Sequence, residues 1–345
     1  MPGISVLFRP FSWIYGGVVG FRNFLFDANV LRQRKFDVPI VAIGNLAVGG
    51  TGKTPHTEYL YRMLSRHGKI AVLSRGYGRK SKGFQWVNSG NEPLRCGDEP
   101  SQMKRKFPEA IVAVDADRGE GIETILKKNS VAAILLDDAY QHRYVKPDVN
   151  ILLTDYNRLY CDDHLMPEGR LREPMTSRRR ADIIIVTKCP ADLKPIDFQL
   201  LNKRTKPFAS QHLFFTTNTY GAPFPLFESE AKPFTGGRIL AVTGIAHPAP
   251  LVSHLKAGAQ VELLRFPDHH RFDAEDIKRI GEKFSDHDFI ITTEKDAPKL
   301  MTLEREMTQA MRSSIYVQPI EVEFLHDDAE HFRKVLEDGL FGIKY

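Results

Sequence analysis

Ala47-Val48-Gly49-Gly50-Thr51-Gly52-Lys53-Thr54 is the stretch of this sequence that leaves the fold least freedom. It follows the apolar, β-branched run Val38–Ile43 and Gly44. It is followed by Thr54–Ser65, where Tyr59, Leu60, Met63 and Leu64 recur at helical spacing. Strand, glycine-rich loop and helix in that order build a phosphate-binding loop, G-x-x-x-x-G-K-S/T. Small residues let backbone N–H groups converge on the β- and γ-phosphates, the lysine meets the same oxygens, and the hydroxyl meets Mg2+. The helix N-terminus adds a positive partial charge. Gly49, Gly50, Thr51, Gly52, Lys53 and Thr54 are therefore expected to hold ATP, with Thr54 on the metal. Ala47 stands where the general pattern has glycine, and Gly49 and Gly50 offer flexibility in its place.

Ile70–Leu73, Ala110–Val114, Ala132–Leu136, Asn150–Leu153 and Ile183–Val186 are apolar throughout. Strands of that kind alternating with helices predict a parallel sheet covered on both faces. Residues 190–236 carry many Pro, Thr and Phe residues and no clear helical pattern. They read as an inter-domain connection holding a β-hairpin, with Gly221-Ala222-Pro223 near its turn. Strand-like runs resume at Arg238–Val242, Val261–Leu264, Phe289–Thr292 and Ile315–Val317, with helical stretches between them. The expected fold is α/β: a P-loop NTPase core with a mostly parallel sheet, and a smaller C-terminal α/β domain joined by a β-hairpin-like linker. A helix from about Asp328 to Leu340 closes one domain or the other.

Lys and Arg outnumber Asp and Glu by 48 to 43, a net charge of +5 that permits an anionic partner without naming one. Cys96, Cys161 and Cys189 have no paired metal spacing, which gives no disulfide framework or zinc site and suits a reducing cytosol. Ser5–Phe26 holds an apolar or small run, Phe11–Phe21, between Arg9-Pro10 and Arg22-Asn23. A spanning helix needs about 20 apolar residues, so this run is too short. No small-residue cleavage site follows it, so it is not a signal peptide. Two readings remain: an amphipathic helix packed on its own domain, or a helix lying in a membrane interface. In the second, Trp13, Tyr15 and the Phe residues enter lipid, and Arg9, Arg22, Arg32, Arg34 and Lys35 meet head groups.

Asp137-Asp138 follow directly on an apolar strand, the place where a P-loop enzyme holds Mg2+ or its water. Asp98-Glu99, before Pro100, reads equally as a helix cap or as a catalytic base. Asp268-His269-His270 offers a loop imidazole beside a carboxylate, which alone is most simply a hydrogen-bonded loop histidine. Arg75, Tyr77 and Arg79 make a basic-aromatic loop at a strand end, suited to anions, and Arg170 and Arg172 share that chemistry with weaker context.

Taken together, these segments resemble the tetraacyldisaccharide 4′-kinases, the lipid A 4′-kinases of Gram-negative bacteria. The resemblance rests on GNLAVGGTGKTP at 44–55, LSRGYGRK at 73–80, GDEP at 97–100, LLDDAYQHR at 135–143, LMPEGRLREP at 165–174, TGIAHP at 243–248, FPDHHRF at 266–272 and TTEKD at 292–296. Ala139 stands where the family usually has Gly, and Tyr140 where it has a more apolar residue. The resemblance implies phosphorylation of the 4′-hydroxyl of a tetraacylated glucosamine disaccharide 1-phosphate by Mg·ATP. It implies Lys53 and Thr54 on phosphates and Mg2+, Asp137 and Asp138 as metal-side acids, Asp98 as the base and His269 as its partner. Asn45, Glu99, Arg75, Tyr77, Arg79, Arg118 and Arg170 are implied substrate contacts. It also favours the interfacial helix, because the acceptor is a membrane lipid. The chain is then expected as a monomer, peripheral on the cytoplasmic face of the bacterial inner membrane, with no nucleic-acid partner. Its expected divisions are a membrane-interface helix at 1–35, the kinase core at 36–205, a two-stranded linker at 206–236 and the smaller domain at 237–345. The alternative is a P-loop kinase or ATPase acting on a soluble sugar or nucleotide. A GTPase would want an Asn-Lys-x-Asp-type guanine reader, which Thr187-Lys188-Cys189 and Thr293-Glu294-Lys295-Asp296 only brush.

Overall fold

The computed structural model describes residues 8–88, 93–268 and 270–342. Among them, nine strands form one sheet: β1 (Ile40–Asn45), β2 (Ile70–Ser74), β3 (Gln85–Trp86), β4 (Ile111–Val114), β5 (Ala133–Asp137), β6 (Val149–Asp155), β7 (Ile183–Thr187), β8 (His212–Tyr220) and β14 (Ile320–Phe324). Their spatial order is β14-β8-β7-β6-β1-β5-β2-β4-β3. The seven inner strands are parallel, and β3 and β14 lie antiparallel at the edges.

Four helices matter for the site: α1 (Arg9–Asp27), α2 (Lys53–Leu64), α3 (Asp98–Lys106) and α4 (Arg118–Lys128). Alternate β1 residues point to opposite faces. Val41 and Ile43 pack with Leu60 and Leu64 of α2, and Ile40 and Ala42 pack with Ile122 and Ile125 of α4. Each such buried Leu or Ile contributes about 1.5–3 kcal/mol, which is why these strands read as continuous apolar runs. The chain leaves β1 toward β2 and later crosses to β6 on its other side. Loops at the carboxyl ends of β1 and β5 therefore open into a shared crevice. The register pairs Ile43 with Asp137, so the acid stands beside the start of the phosphate loop.

The second sheet contains β9 (Phe224–Pro225), β10 (Gly237–Thr243), β11 (Ala259–Arg265), β12 (Phe289–Thr293) and β13 (Ile315–Gln318), in the order β11-β10-β12-β13-β9. It has its own core, with Leu240, Val242, Ile277, Ile290 and Leu300.

The connection is two-stranded but is not built from one local hairpin. At Gly221–Pro223 the chain passes from β8 in the first sheet to β9 in the second. The antiparallel partner of β8 is the distant β14, Ile320 lying against Tyr220. Pairing over about a hundred residues leaves no local turn signal to read. Phe332, Leu336 and Leu340 of the closing helix Ala329–Phe341 join the first core, so the chain returns to the larger unit after building the smaller one. A helix at Pro195–Thr205 occupies part of the stretch expected to be irregular. It buries only Leu201 and Thr205, too few for an apolar period to stand out.

Helix α1 turns most of its large apolar residues outward. It buries Ser12, Asn23 and Phe26, while Phe11, Ile14, Val18 and Phe21 form an outward stripe beside Trp13, which is 71% exposed. Among the described residues no helix is long and apolar enough to cross a membrane.

Candidate active site

The loop from Leu46 to Lys53 wraps the carboxyl end of β1. Gly49 and Gly52 take φ of +124° and +82°, a region that side chains resist. Gly52 is the N-cap of α2, whose first turn leaves N–H groups without intrahelical partners. Four side chains brace the loop. Buried Asn45 donates Nδ2 to Thr51 Oγ1 at 2.8 Å. Thr187 Oγ1 donates to the Thr51 carbonyl at 2.9 Å. His56 sets Nδ1 2.7 Å from the Gly52 carbonyl and Nε2 3.0 Å from Thr216 Oγ1. Burial pushes this imidazole down to about 4, so it is a neutral strut. Lys188, at the end of β7, donates to the Gly50 carbonyl and pairs with Asp155 at 2.7 Å.

Thr54, Ser74, Glu99 and Asp137 line one small cavity, so the start of α2, the end of β5 and the first turn of α3 converge. Asp137 is buried and accepts the Thr57 hydroxyl at 3.2 Å. Burial, then the neighbouring Glu99 and Asp138 carboxylates, push it up to about 7. Burial would raise Asp138 as well, but Lys53 at 3.5 Å and Arg172 at 3.2 Å outweigh it and hold that carboxyl below its ordinary value. Crowded buried carboxylates of this kind favour a cation among them. The donors, two carboxylates and the Thr54 hydroxyl, are hard oxygens suited to Mg2+. Among the described residues no three His, Cys, Asp or Glu side chains form a complete metal cluster.

Asp98 does not cap its helix. The N-cap of α3 is Gly97, no side chain makes a cap hydrogen bond, and Asp98 is the first helical residue. The cap alternative is thereby corrected: a left-handed Gly97 at φ +99° takes the boundary position, and the Asp98 side chain turns elsewhere. Its Oδ2 stands 3.7 Å from Lys299 Nζ in the short helix Ala297–Met301 of the smaller unit. His269 lies outside the described residues. Its neighbour His270 places Nε2 2.7 Å from Asp276 and stacks on Phe266, and Asp268 pairs with Lys295 at 3.1 Å.

The expected substrate-side residues divide by exposure. Arg75 and Tyr77 are exposed and Arg79 is half-buried, its Nη1 near Ser81. Arg118 is buried. It donates to the carbonyls of Asp115 at 2.8 Å and Asp137 at 3.3 Å, and burial pulls it down to about 10. Arg170 is exposed, and its carbonyl accepts from Val48 N at 2.8 Å. Arg172, which sequence context ranked only weakly, has the stronger side-chain contact, to Asp138. Its backbone N donates to the Leu46 carbonyl at 2.7 Å, and its carbonyl accepts the Tyr15 hydroxyl at 2.8 Å. Leu171, between the two arginines, is buried against the phosphate loop. Sequence reasoning missed Lys106, which sits 2.6 Å from both Glu58 of α2 and Glu294 after β12.

The profile of the tetraacyldisaccharide-1-phosphate 4′-kinase family matches residues 4–340. A tetraacyldisaccharide 4′-kinase of Bacteroides thetaiotaomicron is 47% identical over 344 residues, covering 94% of this chain and 90% of that one. One of Phocaeicola vulgatus is 48% identical over 342 residues, covering 95% and 93%. A crystal structure described as the "apo" form of LpxK from Aquifex aeolicus in complex with ATP superposes with a TM-score of 0.77 at 28% identity, over 98% of this chain and 100% of that one.

Proposed function

The chain belongs to the tetraacyldisaccharide-1-phosphate 4′-kinase family, and from that premise we propose how its residues carry out the reaction. It is an ATP-dependent phosphotransferase of lipid A biosynthesis that phosphorylates the 4′-hydroxyl of a tetraacylated glucosamine disaccharide 1-phosphate. The observation that carries the residue assignment is the cavity shared by Thr54, Glu99 and Asp137.

In this reading the loop from Gly49 to Thr54 cradles ATP, and Lys53 neutralises the charge carried by the γ-phosphate. Thr54, Asp137 and Asp138 would hold Mg2+, which would supply further positive charge at the phosphates. Asp98 accepts the proton of the 4′-hydroxyl, and His269 orients it. Asn45 supports the loop. Arg75, Tyr77, Arg79, Glu99, Arg118 and Arg170 shape or contact the acceptor side. Phosphoryl transfer depends on positioning and charge neutralisation more than on covalent help, and these residues supply both.

The outward apolar stripe of α1 supports a membrane lipid as acceptor over a soluble sugar. Moving each CH2 of an acyl chain into water costs about 0.8 kcal/mol, so an enzyme that lifts four chains out of a bilayer needs a large apolar cavity. An enzyme that lays Phe11, Trp13, Ile14, Val18 and Phe21 into the interface comes to the lipid instead. The working unit is a monomer, peripheral on the cytoplasmic face of the inner membrane. Radiolabelled ATP offered with the lipid disaccharide and with soluble sugars and nucleosides tests the reading. Label should enter the lipid alone. Transfer to a soluble acceptor at equal or greater rate would favour the alternative.

A further inference from the structure

We propose that Lys299 is a positioning residue for the transfer reaction: it holds the Asp98 carboxylate from across the domain boundary. The inference rests on Asp98 acting as the base.

The second sheet has its own crevice. Its strand order, β11-β10-β12-β13, reverses direction between β10 and β12, so the loops after these two strands part at their carboxyl ends. Asp296 closes that crevice. It is fully buried, and its Oδ2 accepts Gly244 N at 2.9 Å, Thr293 Oγ1 at 2.8 Å and Thr243 Oγ1 at 3.2 Å. Its Oδ1 is buried without a hydrogen bond, as is Lys299 Nζ. Those two atoms face each other at 3.6 Å, and the same ammonium stands 3.7 Å from Asp98 Oδ2.

An ammonium buried between two carboxylates, in ion-pair reach of both and in hydrogen-bond contact with neither, is an incomplete arrangement. Charge-assisted N–H···O bonds settle at about 2.7–2.9 Å. An approach of about 1 Å between α3 and the helix Ala297–Met301 would make the bond to Asp98, while Asp296, at the N-cap of Lys299's own helix, keeps its distance. Asp98 is the first residue of α3, and Lys106 at the far end of the same helix pairs with Glu294 of the smaller unit at 2.6 Å. Helix α3 is therefore gripped at both ends by residues that follow β12. Lys299 can fix the rotation of the Asp98 carboxylate and make its position depend on how the two units meet. Only one of its two carboxylates lies in the smaller unit, so this is a contact between units and not an internal staple.

The test is steady-state transfer with the full chain, ATP and the lipid disaccharide in mixed micelles, read as kcat and as KM for each substrate. Lys299→Met should lower kcat by about 10²-fold, the cost of a misplacement on the 1 Å scale. It should leave KM for ATP unchanged. Lys299→Arg should restore part of kcat. If Lys299→Met melts because Asp296 is left as an uncompensated charge, Lys299→Met/Asp296→Asn is measured in its place with the same expectation. Asp98→Asn serves as the reference. An inactive Asp98→Asn beside a Lys299→Met of wild-type kcat overturns the role of Lys299 alone. An active Asp98→Asn overturns the base assignment, and the role of Lys299 falls with it.

Discussion

Lys53 Nζ rests 3.5 Å from Asp138 Oδ1, so the lysine of the phosphate loop and the acid after β5 already face the same point. Lys53→Ala should remove transfer by roughly 10²–10³-fold or more, because the lysine meets charge that develops in the transition state. The side chain is not part of either core, so the melting temperature should hold. Wild-type turnover in the purified variant would remove the phosphate loop from the mechanism.

Asp98→Ala should lower kcat by roughly 10²–10⁴-fold, the range for a lost general base, with little change in ATP affinity. Because Gly97 and not Asp98 takes the N-cap position, the variant should lose little stability. A variant that melts early and keeps its kcat would return Asp98 to a structural role.

Stability should fall as pH rises from about 4.5 to about 7. Burial, with Glu294 opposite, pushes Glu58 from 4.5 up to about 7, against the pull of Lys106 and Gln102. Across that window the folded chain keeps a proton that the unfolded chain has released, so unfolding becomes easier as pH rises. Above about 7 both states have lost it and this contribution is flat. Denaturant titrations of Glu58→Gln should show a shallower pH slope. An unchanged slope would place the carboxyl's proton elsewhere.

The outward stripe on α1 should bind lipid. Trp13→Ser/Ile14→Ser/Phe21→Ser should keep its melting temperature, because these side chains are 71%, 67% and 64% exposed. It should no longer float with anionic vesicles, and it should turn over lipid acceptor poorly while binding ATP normally. Vesicle binding equal to that of the unaltered chain would locate the membrane contact on another surface.

Much of this architecture is legible in the residues. Runs such as Ile70–Leu73 and Ile183–Val186 mark buried parallel strands because both of their faces are covered. The loop Gly49–Thr54 names its own chemistry. What is hidden depends on contacts distant in sequence. The pairing of β8 with β14 joins residues about a hundred apart, and no local signal foretells it. The lysines Lys106 and Lys299 look like surface charges in their helices until the two units pack together. Arg170 and Arg172 read alike in the sequence, and only the folded loop shows that Arg172 is the one that meets Asp138. The outward polarity of α1 was undecidable for a related reason: its apolar content is plain, but which face the protein covers is set by the loop around Arg172 and Glu173.

The most direct test of the account is the position of the transferred phosphate. Product made from ATP and the tetraacylated disaccharide 1-phosphate is purified, and phosphorus–proton correlation spectra locate the new ester. The account predicts a second phosphorus signal correlated with the proton at the 4′ carbon, absent from Lys53→Ala and Asp98→Ala reactions. Phosphate attached at another hydroxyl, or free phosphate released with the lipid unchanged, would contradict it.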